Sequence, residues 1–213
     1  MAGKKPVPRK KDAPPNRLKR DAIVQASVRV FAEQGYYNSR ISDVVRTAGV
    51  AQGLFYYYFR SKEEILITIY QEAWWNLIAR MDRLRRDMDD PLDQIRSALL
   101  YILKSFRVNP DLMKVLIMDV PRVDGFYNQE NQGLYHRFFD DLAGFVREGQ
   151  ERGLVRPELS PLVAAYMIHA SLDSLIRHHI YNPGFEAEAA PIDAAVEQVF
   201  SVLANGLLQT RPD

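Results

Sequence analysis

The chain contains no cysteine. A disulfide framework, a thiolate nucleophile and a zinc–thiolate centre are therefore excluded. It also lacks any apolar run near the roughly 20 residues of a membrane-spanning helix, and the charged N-terminus has no apolar stretch behind it. The expectation is a soluble, cytoplasmic protein. Also missing are a glycine-rich phosphate loop, a G-x-S-x-G elbow and an H-E-x-x-H pair, so an enzyme is not expected, nor a cofactor or a metal. No alternating strand pattern and no internal repeat occur.

What is present is a large apolar fraction and a divided charge. Hydrophobic residues make up 47% of 213, enough for a real core. Net charge is only +1, yet residues 1–62 hold 13 Lys and Arg against 4 Asp and Glu, while the remainder holds 15 against 23. A basic front ahead of an acidic body points to a polyanion bound at the front alone.

Residues 1–15 carry four prolines and five basic residues and read as a flexible basic arm. From Asn16, read as an N-cap, Ile23, Ala26, Val30 and Phe31 mark one helical face, stopped at Gly35. Ser39 is expected to cap a short second helix with Ile41, Val44, Val45 and Ala48 inward, closed by Gly49. The run Gln52 to Phe59 is too short for a decisive period, but its neighbours favour helix. Ser61 and Glu64 form a capping box that opens a long helix to about Met88.

Further apolar stripes follow at Leu92–Ile102, Leu112–Leu116 and Leu134–Val146. Gly125 to Asn131 reads as loop. Ser160-Pro161 starts a helix to about Tyr181, and Pro191 opens the last, with Ile192, Val196, Val199, Phe200, Leu203 and Leu207 apolar. The expected fold is all-α with about nine helices. The expected division is an arm at 1–15, a helix-turn-helix DNA-binding domain at 16–62, and a ligand-binding and dimerisation domain at 63–213.

Two short helices joined by a glycine turn are a helix-turn-helix candidate. On the second of them Gln52, Tyr56 and Tyr57 offer polar tips, and Gly53 lets a backbone come close to another surface. These residues resemble the TetR family of transcriptional regulators. The resemblance rests on Phe31, Gly35-Tyr36, Ala48-Gly49-Val50, the run Gly53 to Phe59, and Ser61-Lys62-Glu63. It covers about residues 17–66.

The resemblance implies a homodimeric repressor that leaves a palindromic operator in double-stranded DNA when a small apolar effector binds. By the same resemblance Ser39, Arg40, Tyr56 and Lys62 contact the phosphate backbone, and Gln52, Gly53, Leu54 and Tyr57 meet base edges or adjacent phosphates. Ala51 stands where the family usually has Ser or Thr, so the recognition helix loses a cap. Tyr58, Phe59 and Phe55 are expected in the core and Arg46 in solvent. The last two long helices are the expected dimer interface.

Large soft residues crowd the second part, and an apolar pocket there is expected to use Trp74, Tyr101, Phe106, Met113, Met118, Phe138, His169 and Asp173. His169 and Asp173, four apart on one helix, read as a buried hydrogen-bonded pair rather than metal ligands. A helical protein-interaction adaptor is the competing reading, but it leaves the polar residues of 39–62 without a purpose.

Overall fold

The computed structural model describes residues 14–182 and 192–207, so most of the basic arm, Pro191 and the extreme C-terminus lie outside the described residues. Among the described residues the chain is helical throughout, with nine α-helices and two 3-10 turns. They are α1 (Pro14–Gln34), α2 (Ile41–Ala48), α3 (Gln52–Tyr58), α4 (Lys62–Asp87), α5 (Pro91–Val108), α6 (Pro110–Met118), α7 (Gln129–Glu151), α8 (Pro161–Tyr181) and α9 (Ile192–Leu207). The 3-10 turns, Val120–Arg122 and Asp124–Phe126, connect α6 to α7.

The helix boundaries follow from local chemistry. Asp90, Asn109 and Ser160 each accept a backbone N–H of the first turn, and a proline follows each at the first helical position, where its missing N–H costs nothing. Gly49 closes α2 with φ 65°, a left-handed conformation that a β-carbon would strain. Ser61 Oγ accepts from Glu64 N at 3.0 Å, but the Glu64 carboxylate reaches back to Arg60 N at 2.6 Å, one residue before the expected partner.

Three boundaries differ from expectation. Asn16 lies inside α1, which begins at Pro14. Arg40, not Ser39, occupies the N-cap of α2, because the Ser39 hydroxyl turns back to donate to the Tyr36 carbonyl at 2.7 Å. Residues 129–131 are already helix, capped by Asn128, whose side chain accepts from Asn131 N at 2.9 Å.

The helices α1–α3 pack around Phe31, Val44, Phe55 and Phe59, all buried. This small core is continuous with that of α4–α8, where Leu66, Met81, Leu103, Phe138 and Phe145 are sealed from solvent. Arg20 joins the two parts, pairing with Glu72 at 2.6 Å while its guanidinium covers the Phe59 ring. No helix among the described residues is long and apolar enough to cross a membrane.

Candidate DNA-binding surface and ligand cavity

The short helix α3 is amphipathic in an unusual way: aromatic residues occupy both faces. Phe55 and Phe59 point inward and are buried, while Tyr56 and Tyr57 remain 51% and 46% exposed. A seven-residue helix cannot hold itself in water, so this inner anchor fixes the outer tyrosines. Gln52 and Gly53 are exposed beside them and Leu54 is half-buried. A β-carbon at Gly53 would meet nothing within 4 Å, so packing inside the protein does not require glycine there. Ala51 occupies the N-cap of α3 and its side chain caps nothing, as expected.

Arg40 is exposed at the start of α2, where its backbone N–H donates to the Asp43 carboxylate at 3.3 Å. Arg46 is exposed but paired with Asp43 at 2.6 Å. Tyr58 is half-buried against the core. Sequence reasoning passed over Asn38, Thr47 and Arg60, which are exposed in the same stretch. Their polar type within the motif was the available signal.

Two residues expected at phosphates are engaged within the protein. Ser39 is buried and its hydroxyl is committed to Tyr36. Lys62 is turned inward: its Nζ donates to the carbonyls of Tyr36 at 2.5 Å, Ser39 at 2.8 Å and Tyr37 at 3.3 Å, and lies 4.4 Å from the Tyr36 ring centroid. An ammonium has three N–H bonds, and three carbonyls take them. Burial holds the Lys62 pKa below its ordinary value, with Asp119 opposing the shift. The sequence placed Lys62 correctly on the first turn of α4. It could not show that the α1–α2 loop folds over that turn.

The same loop touches the far part of the chain. Tyr36 N donates to Asp119 Oδ1 at 3.3 Å, the Tyr37 hydroxyl donates to the Arg122 carbonyl at 2.5 Å, and Gly125 N donates to Glu63 Oε1 at 3.0 Å. Asp119, Arg122 and Gly125 belong to the segment linking α6 to α7. Burial raises the pKa of Asp119, opposed by the Tyr36 hydrogen bond and by Arg122, Lys114 and Lys62.

That segment also walls a cavity of about 460 Å³ enclosed by α4, α5, α6, α7 and α8. Its size is that of a small-molecule site. Trp74, Tyr101, Met113, His169 and Asp173 line it as expected. Phe106, Met118 and Phe138 are absent from the wall. Phe138 lies behind it, its ring 5.4 Å from that of Trp74, and Phe106 packs on His179. On α6 the lining positions are Leu112, Met113, Leu116 and Ile117, and Met118 is rotated away from them.

Tyr70, Leu77, Leu116 and Phe126 were missed as lining residues. Tyr70, Trp74 and Leu77 recur at one-turn spacing, which was the legible signal. The expected His169–Asp173 hydrogen bond is not formed. Asp173 Oδ2 takes both Nε and Nη2 of Arg177 at 3.2 Å, and His169 packs edge-on to Phe138 and Phe139 instead. Burial lowers the His169 pKa, with Asp173 opposing.

Residues 23–69 match the family model described as bacterial regulatory proteins, tetR family. The chain is similar to the fatty acid metabolism regulator protein of Bacillus subtilis (strain 168), 28% identical over 188 residues, covering 87% of this chain and 93% of the relative. It is also similar to the HTH-type transcriptional repressor NicS of Pseudomonas putida, 27% identical over 157 residues, with 72% and 73% of the two chains covered. Among solved structures, the fatty acid degradation regulator FadR of Bacillus halodurans superposes with a TM-score of 0.80 at 25% identity over 95% of this chain and 100% of the other. The regulator FadR of Bacillus subtilis in complex with stearoyl-CoA does so with a TM-score of 0.77 at 24% identity, over 88% and 98%. These relatives are regulators and not adaptors.

Proposed function

We propose that this chain, whose residues 23–69 match the tetR family of bacterial regulatory proteins, represses transcription from a palindromic operator through α2 and α3, and is released when an apolar effector fills the cavity. The observation that carries this reading is one chain holding both an outward polar face on α3, anchored from behind by Phe55 and Phe59, and a cavity walled in part by the middle of α4.

In this reading residues 16–62 are the DNA-binding domain and 63–213 the effector and dimerisation domain. Gln52, Gly53 and Tyr57 meet the major groove, where Gln52 is able to pair bidentately with adenine. Tyr56 and Arg40 hold the phosphates on either side and set the register. Leu54 contributes apolar contact from the inner edge of the helix.

A seven-residue recognition helix reads few bases, so affinity and register require a second copy one helical turn of DNA away. Helix α8 supplies the surface for it. Val163, Met167 and Tyr181 are exposed at 54%, 59% and 62%, and Val202 of α9 at 73%. Water-exposed apolar side chains spaced along two long helices fit a four-helix interface with a symmetry mate.

The stearoyl-CoA bound by the Bacillus subtilis FadR makes long-chain acyl thioesters the first effectors to try here. A ligand between α4 and α6 shifts α4 and respaces the two recognition helices, so its differential affinity for the two spacings weakens DNA binding. The test is a gel-shift titration on the promoter fragment upstream of the chain's own coding region, with and without stearoyl-CoA. Retarded complexes that dissociate with stearoyl-CoA are expected. No retardation of that fragment or of any genomic palindrome at low salt overturns the reading.

A further inference from the structure

The cavity wall is mostly apolar, and one of its polar atoms is sealed off without a partner. The Tyr70 hydroxyl is buried and makes no hydrogen bond. His169 is partly buried, its ring held edge-on by Phe138 and Phe139. Both residues line the same cavity. Buried polar groups are nearly always satisfied, because leaving one bare costs its desolvation free energy. A bare hydroxyl, with an imidazole on the same wall, marks where a ligand's own polar atoms belong.

We propose that Tyr70 and His169 are the polar recognition points of the cavity, and that the part of the effector held inside it is uncharged and largely apolar with a carbonyl oxygen, as in an ester, thioester or ketone, any charged head group staying outside.

The packing around the two residues makes them rigid. The Tyr70 ring lies 5.0 Å from Phe126 edge-on and 5.6 Å from Trp74. Phe126 is held in turn by its carbonyl, which accepts from Asn131 Nδ2 at 2.9 Å, while Asn131 Oδ1 accepts from Gln71 at 3.0 Å. Trp74 continues to Tyr135 at 5.7 Å, and Phe139 touches both Tyr135 at 4.6 Å and His169 at 5.2 Å. Tyr70 and His169 are thus set into one aromatic wall, whose faces accept an alkyl chain while O–H and N–H tips select its oxygen.

The charge around them decides against an anion. Of the charged residues on the wall, Asp173 and Arg177 neutralise each other. A carboxylate pushed against Tyr70 would lose its hydration with no cation to replace it, whereas a carbonyl needs only a donor. Burial keeps the His169 imidazole uncharged at neutral pH, which suits an uncharged guest.

The inference rests on the cavity being the effector site, and the experiment separates the two. N-phenyl-1-naphthylamine, which fluoresces in apolar sites, is bound to the full-length protein and displaced by methyl decanoate, decanoate or undecane. Leu116→Trp, which fills the cavity, is the control. The wild-type protein is expected to prefer the ester to both competitors by about tenfold or more. Tyr70→Phe and His169→Leu are each expected to erode the preference over undecane about tenfold, each competitor being read against that variant's own naphthylamine Kd. Equal binding of ester and hydrocarbon by the wild type, or an undiminished preference in both variants, overturns the assignment of these residues. Naphthylamine binding unaffected by Leu116→Trp overturns the cavity as the site and this inference with it.

Discussion

Lys62 Nζ stands 2.5 Å from the carbonyl oxygen of Tyr36 and over the same residue's ring, tying the first turn of α4 to the loop that precedes α2. The two ends of this contact are 26 residues apart in sequence. The Arg20–Glu72 pair and the packing of α1 on α4 and α6 hold the same parts together. In the proposed reading Lys62 acts on DNA binding by position rather than by charge.

The consequence is measurable through salt. A lysine on a phosphate contributes about one unit to the slope of log K against log salt, so its removal flattens the line. For Lys62→Met the slope is expected to stay unchanged, while operator affinity falls and the folded state loses about 1–3 kcal/mol, because three carbonyls lose their donor. Fluorescence anisotropy at four salt concentrations and urea unfolding report the two effects. A slope reduced by one with unaltered stability would return Lys62 to the phosphates.

Gly53 separates packing from recognition in a second way. Inside a helix alanine is better than glycine by roughly 0.5–1 kcal/mol, and a β-carbon here meets no neighbour. Gly53→Ala is thus expected to raise the unfolding midpoint slightly yet weaken operator binding at least about tenfold, since the methyl group stands where DNA must approach. Unaltered binding would place the duplex away from this edge of α3.

How much of this was readable beforehand depended on whether a residue's role is local. The helices, the prolines that open them and the inward face of α2 follow from spacing and capping along a few residues. The outward pair Tyr56 and Tyr57 is set by the period of one short helix and was legible too. The internal partners of Ser39 and Lys62 were not legible because they lie in the α1–α2 loop, whose path is decided by packing against α4. The cavity wall was half legible for the same reason. Trp74 and Tyr101 announce themselves by size, but whether Phe138 faces the cavity or stands behind Trp74 is settled only by five helices meeting.

Tyr70 offers a test of stability that needs no ligand. Its hydroxyl is buried without a partner, and burial pushes its pKa far above the ordinary value. Tyr70→Phe removes the unsatisfied oxygen and keeps the ring against Trp74 and Phe126. The variant is expected to be as stable as the wild type or more stable, by up to about 1 kcal/mol in urea unfolding. A loss of that size would mean that the hydroxyl has a protein or water partner.

His169 gives the protein a pH dependence of definite sign. Burial holds its folded-state pKa below 6.5, so between the two values the unfolded chain binds a proton that the folded chain refuses. Its contribution to stability is complete above about pH 6.5 and is lost as the pH falls toward the folded value. The slope from this one group cannot exceed about 1.4 kcal/mol per pH unit. His169→Leu is expected to flatten the stability curve between pH 6.5 and 5.5 relative to the wild type, as read by urea unfolding at each pH. Parallel curves would show that the ring titrates alike in the folded and unfolded chain.

The segment between α6 and α7 has one side on the cavity and the other on the DNA-binding part. Val120, Pro121 and Phe126 line the cavity, while Asp119, the Arg122 carbonyl and Gly125 N bond to Tyr36, Tyr37 and Glu63. A guest that displaces Phe126 must strain these bonds, because the segment is short and its two 3-10 turns leave little slack. Asp119→Ala combined with Tyr37→Phe removes two of the three links. The double variant is expected to bind operator within about threefold of wild type and methyl decanoate as well as before, yet to show a smaller ratio of operator Kd with and without the ester. Because coupling is reciprocal, the ester's affinity for the operator-bound form should change by the same factor. Titrating each ligand in the presence of the other checks both sides, and a ratio equal to that of the wild type would leave α4 alone to carry the signal.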